Sequence, residues 1–209
     1  MSQEIKDEAL EQIEKDVLIG FESAEDMIES IAEMFEEEDD FDEDWLVETI
    51  EARCNEHRDN SFNWSRPTDF DRLDAAFTEL IKKKIVCLHN AGYTKQDAIG
   101  DCEEAIDALD DRGIEAIGYC YYHTQDIEGA IDPTSRKLFL GYDSFIDDNK
   151  ETLMIANTIV DALKAQHFAI TWNGTIQKRI QIDNINWQKV PDDEDWSMGR
   201  VIDILTNDE

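Results

Sequence analysis

Two short stretches of this chain carry residues that could do chemistry. The first is His123-Thr124-Gln125-Asp126, which ends the apolar, aromatic run G-Y-C-Y-Y at Gly118–Tyr122. The second is His89, which closes the apolar run I-V-C-L at Ile85–Leu88. Apolar runs that stop at polar residues read as buried strands delivering side chains to a sheet end. Two histidines and an aspartate on neighbouring strand ends have the composition of a metal or acid–base site. His89, His123, Gln125 and Asp126 therefore form one candidate ligand or catalytic site. The plainer reading keeps both histidines partly buried and hydrogen-bonded to backbone, with Asp126 capping a short helix, and it is preferred.

Other chemistry finds less support. There is no G-x-S-x-G elbow, no H-E-x-x-H box, no phosphate-binding glycine loop and no dinucleotide fingerprint. Cys54, Cys87, Cys102 and Cys120 lack the paired short spacing of a structural zinc site and read as reduced thiols. Asp40, Asp42, Asp44 and Glu51 match the first, third, fifth and twelfth positions of an EF-hand loop. The sixth position is Trp45, where that loop needs glycine for its turn, so no calcium site is expected. No catalytic residue, metal or cofactor is assigned.

The elements that must hold these residues follow from periodicity and turn chemistry. Helices are expected near residues 5–17, 24–35 and 45–57, with Leu10, Met34 and Trp45 among their inward residues. Ser23, with Glu25 and Asp26 in the turn that follows, and Thr68 and Thr94 each precede an apolar period, the place of an N-cap. Strands are expected at Ile85–His89, Ile114–Tyr122, Lys137–Tyr142, Phe168–Trp172 and Ile176–Ile182, with a helix over Leu153–Ala165. The run at Ile114–Tyr122 is placed centrally, since an uninterrupted apolar strand is covered on both faces. The fold expected is α+β (mixed α/β): a mixed sheet of about five strands flanked by helices, preceded by an acidic helical N-terminal segment. The divisions expected are 1–60, 68–190 and a tail, 191–209, docking on the domain.

Between Leu73 and Trp187 the chain carries, in order, L-I-K-K-K-I-V-C-L-H-N-A-G-Y-T, G-Y-C-Y-Y-H-T-Q-D-I-E-G-A-I, L-F-L-G-Y, and W-N-G-T-I-Q-K-R-I-Q-I ending in N-W-Q-K. In these motifs it resembles a bacterial family of domains of unknown function. The resemblance implies a compact α/β domain and no established activity. It leaves residues 1–60 and the tail outside.

Charge is the strongest compositional signal. The 209-residue chain has a net charge of −32, and residues 1–60 hold 23 Asp and Glu against 4 Lys and Arg. Such a surface repels nucleic acid and anionic membranes, so neither is expected as a partner. No stretch approaches the ~20 apolar residues of a membrane helix, and the N-terminus has no signal-peptide pattern, so a cytoplasmic location is expected. A dense carboxylate field speeds encounter with a cationic partner. Glu36, Glu37, Glu38, Asp39, Asp40, Asp42 and Asp44, with Trp45 as an aromatic anchor, are the expected partner-binding residues. The partner expected is a basic protein such as a cognate bacterial toxin, with this chain as its immunity protein or antitoxin. An enzyme or ligand-binding domain at the strand ends is the alternative, as is an acidic regulatory module.

Overall fold

The computed structural model describes residues 1–146 and 148–206. Among them are eight helices and a five-stranded mixed sheet, an α+β fold. The chain divides into two compact units: residues 1–66 with 188–194, and residues 67–187 with the segment from Asp195 onward.

The first unit is helical. Its helices are α1 (Gln3–Ile19), α2 (Ala24–Met34) and α3 (Glu43–Ser61). Ser2, Ser23 and Asp42 cap their N-termini, and Ser23 forms a reciprocal box with Asp26. One apolar cluster joins them: Ala9, Ile13 and Val17 of α1, Met27 and Ile31 of α2, Phe35, and Leu46, Ile50 and Cys54 of α3. Three expected inward positions are displaced. Ala9 rather than Leu10 is fully buried, Leu46 rather than Trp45, and Met34 is 58% exposed beside buried Phe35. Neighbouring helix residues stand about 100° apart, so a stripe read one position off puts a large side chain at the rim. The segment Gln188–Glu194 returns to this unit. The Lys189 carbonyl accepts a 3.0 Å hydrogen bond from His57 Nε2, and Lys189 Nζ lies 2.7 Å from Asp192 and over the Phe21 ring. Gly20 ends α1 at φ +77, and a Cβ there would lie 2.7 Å from the Lys189 carbonyl oxygen, so glycine is required twice over.

The second unit holds α4 (Asp69–Lys82), β1 (Ile85–Leu88), α5 (Lys95–Asp110), β2 (Gly118–Tyr121), α6 (Thr124–Ile131), β3 (Lys137–Ser144), α7 (Asn149–Ala165), β4 (Ala169–Thr171), β5 (Ile180–Asp183) and α8 (Met198–Thr206). Thr68 and Thr94 make capping boxes with Asp71 and Asp97. The strand order is β1-β2-β3-β5-β4, with β1 and β2 parallel and the remaining pairs antiparallel. The expected strand at 114–122 is shorter and lies beside the centre, between β1 and β3; β3 is central. Residues 114–117 fall before the ladder, where the Ile114 N–H still caps α5 at Leu109 and only Ile117 reaches across to Lys84. The last strand also starts later than expected. Residues 175–178 form a loop held by the Tyr142 hydroxyl and Trp172 Nε1, which donate to the Thr175 and Lys178 carbonyls.

Strand alternation sorts the side chains. Ile85, Cys87 and His89 share a face with Cys120 and Tyr122, where Phe77 of α4 packs against His89 and Tyr122. Tyr119, Tyr121 and His123 project to the opposite face. Helix α8 rests on α4, α5 and β1.

Candidate functional site

The strand-end residues are placed in two separate groups rather than one. Successive residues of a strand point to opposite faces, so Tyr122 turns toward α4 while His123 turns away from it.

On the α4 side, His89 is buried among Phe70, Phe77, Tyr122 and Trp196, with ring centroids 4.6–5.6 Å from its own. Its Nδ1 is 2.6 Å from the Tyr122 hydroxyl and its Nε2 is 3.3 Å from Asp74 Oδ1. Arg200 of α8 also bonds Asp74 through Nη2, which donates to Thr78 Oγ1 at 3.1 Å as well. Burial raises the Asp74 carboxyl, but bonding and charge from His89 and Arg200 outweigh it and hold the group below its usual range. Burial pushes the Tyr122 phenol well up, so it stays protonated. Tyr122, His89 and the half-buried Asp74 thus stand in a row as a relay, with Nδ1 hydrogen-bonded and Nε2 in ion-pair range of the carboxylate. A relay of this kind resembles an acid–base triad in composition, but its phenol is fully buried.

On the other side, Asp126 is the third residue of α6 and 6% exposed. Its carboxylate accepts from the His123 backbone N–H at 3.2 Å, which caps the helix, and lies 3.1 Å from His123 Nδ1. Arg179, just before β5, grips the same carboxylate with two bonds of 2.9 and 2.5 Å and donates to the Phe139 carbonyl at 2.7 Å. Burial lowers the His123 pKa, Asp126 pulls it back up, and Arg179 pushes it down again, leaving it below the ordinary value. The Tyr121 ring lies over Gly141, and burial raises its phenol to about 12 against the pull of Arg179. The Asp126 carboxylate, expected as a ligand, is occupied by an arginine 53 residues away. Gln125 has an exposed place on α6.

His89 bonds a side chain, the Tyr122 hydroxyl, where a backbone bond is expected, and His123 Nδ1 stands 3.1 Å from the Asp126 carboxylate without a side-chain hydrogen bond. Arg179, Asp74, Tyr122 and Arg200 were absent from the expected site. Tyr122 and Asp74 lie on faces that periodicity reveals, whereas nothing local marks the two arginines.

The acidic residues stand elsewhere, in the first unit. Glu36, Glu37, Glu38, Asp39 and Asp40 fill the connection from α2 to α3 and are all exposed, as are Asp42, Glu43 and Asp44. Phe35 and Phe41, which bracket the first five, stack 4.9 Å apart and fix the connection to the core. Asp42 accepts a bond from the Trp45 N–H as the cap of α3, and Asp40 lies 3.2 Å from the N-terminal amine. Helix α3 begins at Glu43, so of the EF-hand spacing Asp40 and Asp42 stand before the helix while Asp44 and Glu51 lie on it, and no twelve-residue loop forms. Trp45 is half-buried against the apolar cluster, with Lys6 Nζ 5.7 Å from its ring centre. The four cysteines are free and buried; burial raises the Cys54, Cys87 and Cys102 thiols, which suits inert core residues. No described helix is long and apolar enough to cross a membrane.

Comparison with known proteins gave no match to a curated protein or to a solved structure. A family match does exist, and it corrects the expected extent of the resemblance: it includes the acidic helices, so their charge does not lie outside the shared region. With residues 2–190 matching its model, the chain belongs to the family of domains of unknown function DUF6891.

Proposed function

We propose that the chain acts by binding a basic protein through the acidic surface of its helical unit. The observation that carries this reading is the run 36–44, in which eight of nine residues are acidic and every one of the eight is exposed. Asp42 caps α3, Glu43 and Asp44 lie in its first turn and Asp40 meets the N-terminal amine, which leaves Glu36, Glu37, Glu38 and Asp39 as charge the helices do not need. Like charges packed in one connection destabilise the fold that carries them, which makes a use in binding a sufficient reason for their presence. The partner class is a cationic protein of the kind that acts on nucleic acid. In the specific form of this reading the partner is a bacterial nuclease toxin, and the chain is its immunity protein in the cytoplasm. Because Trp45 is part of the helical core, its exposed edge contributes to the rim of such an interface and the carboxylates supply the recognition. An enzyme at the strand ends is disfavoured, since His89 and His123 lie on opposite faces of the sheet and Asp126 is held by Arg179.

The test begins with the partner that co-purifies from the native cell. Its association rate is then measured at low and physiological salt for wild type and for the variant E36Q/E37Q/E38Q/D39N/D40N. Steering by exposed charge predicts a rate at least about tenfold slower in the variant at low salt, and a wild-type rate that falls as the screening length shrinks toward ~8 Å. Equal, salt-independent rates for the two proteins would remove the reading.

A further inference from the structure

The relay around His89 is closed on one side by α8, and the way it is closed suggests a second binding site. Helix α8 has a single fully buried residue, Val201. Its polar hold on the rest of the unit is Arg200, whose Nη2 serves both Asp74 and Thr78 while its Nε is buried without a partner. A guanidinium offers a fork of donors, and this one is seated on a single prong. Met198, Ile202, Ile204 and Leu205 are only half-buried, and an element packed mainly by partly exposed apolar groups opens before the sheet core does.

The seat that Arg200 occupies has the chemistry of a cation site. Asp74 supplies charge and Thr78 a hydroxyl. The Trp196 ring lies 5.1 Å from the guanidinium carbon, within cation–π range. Trp196, two residues before α8, is itself wedged edge-on against Phe70 and His89, which anchors the aromatic wall to α4 and the end of β1. Next to the seat is a cavity of about 230 Å³ that His89 lines together with Asn90, Asp101 and Glu104, under Ser197 and Met198 at the start of α8. Burial and the neighbouring Glu104 and Asp97 charges raise the Asp101 carboxyl, the response of a carboxylate that lacks a counter-ion. His89 thus joins a filled acidic seat to an acidic cavity, and both favour positive charge.

We propose that the Asp74 seat and the adjoining cavity form a recognition site for a guanidinium or ammonium group of another molecule, with Arg200 as the built-in competitor that leaves when α8 lifts. An arginine or lysine side chain, or a small guanidino compound, is the ligand class this chemistry fits. The matched family region stops at residue 190, so Asp74 and Thr78 lie within it, whereas Arg200 and the Trp196 wall lie beyond it. This site is in the second unit and stands independently of the acidic surface of the first.

The test uses the full chain and a defined probe, Nα-acetyl-arginine amide, with the neutral isostere Nα-acetyl-citrulline amide as control. Binding is followed by amide shifts at Asp74 and Thr78 and by the Trp196 indole signal. A plug lowers apparent affinity by the fraction of time the seat is open, so its removal raises affinity by the same factor. R200Q and R200M are expected to bind the arginine probe at least about tenfold more tightly than wild type and to ignore the citrulline probe. D74N in the R200Q background is expected to abolish binding. Amide exchange in α8 is expected to speed up in both single variants while the sheet is unaffected. Equal affinity in wild type and variants, equal binding of citrulline, or retention after D74N would each overturn the proposal. So would loss of folding in both R200Q and R200M, because Arg200 would then be a structural brace. No partner protein enters this experiment, so its failure leaves the basic-protein reading untouched, and the reverse also holds.

Discussion

Replacing Asp126 by alanine tests how the strand-end group is held. The carboxylate is 6% exposed and meets three groups: the Arg179 fork, the His123 N–H and the His123 ring. Breaking a buried ion pair by deleting one partner costs about 3–5 kcal/mol, because the survivor is left charged and buried. Arg179 is 31% exposed and keeps the Phe139 carbonyl, so water relieves part of that cost, leaving about 2–3 kcal/mol. Loss of the α6 cap adds about 1 kcal/mol. The expected total is about 3–4 kcal/mol, or roughly 10 °C in Tm. Urea and thermal unfolding followed by tryptophan fluorescence measure it. A cycle of D126N, R179M and the double variant isolates the pair and should show coupling of at least about 1 kcal/mol. If the single effects add to within about 0.4 kcal/mol, the two groups do not share one bonded unit and the account of this site fails.

Two further outcomes are expected. Gly118→Ala would drive a methyl into Ile155 Cδ1 and to 2.6 Å from the Asp143 carbonyl oxygen, a backbone atom that cannot step aside, and should cost about 1–3 kcal/mol by urea unfolding. His123 has a folded pKa below its unfolded value, so between the two the unfolded chain binds more protons. Stability should then fall as pH drops below about 6.5, and His123→Gln should flatten that part of the stability–pH curve; an unchanged slope would count against a depressed imidazole.

Features set by near neighbours were legible in the chain alone. Ser23, Thr68 and Thr94 cap helices because a hydroxyl three residues before an acid closes a local ring of hydrogen bonds, independent of what packs above. The helix–strand order of the second unit follows from apolar period, and the charge of residues 36–44 follows from composition. Pairings between distant residues depend on how layers meet, and no local spacing encodes them. Arg179 reaches Asp126 across 53 residues, and Arg200 reaches Asp74 across 126. The sequence placed His89 and His123 at strand ends, yet only the sheet register decided that Tyr122 stands with His89 and that His123 faces away. A one-residue step along a strand reverses the face, so one candidate site in the sequence became two in the fold.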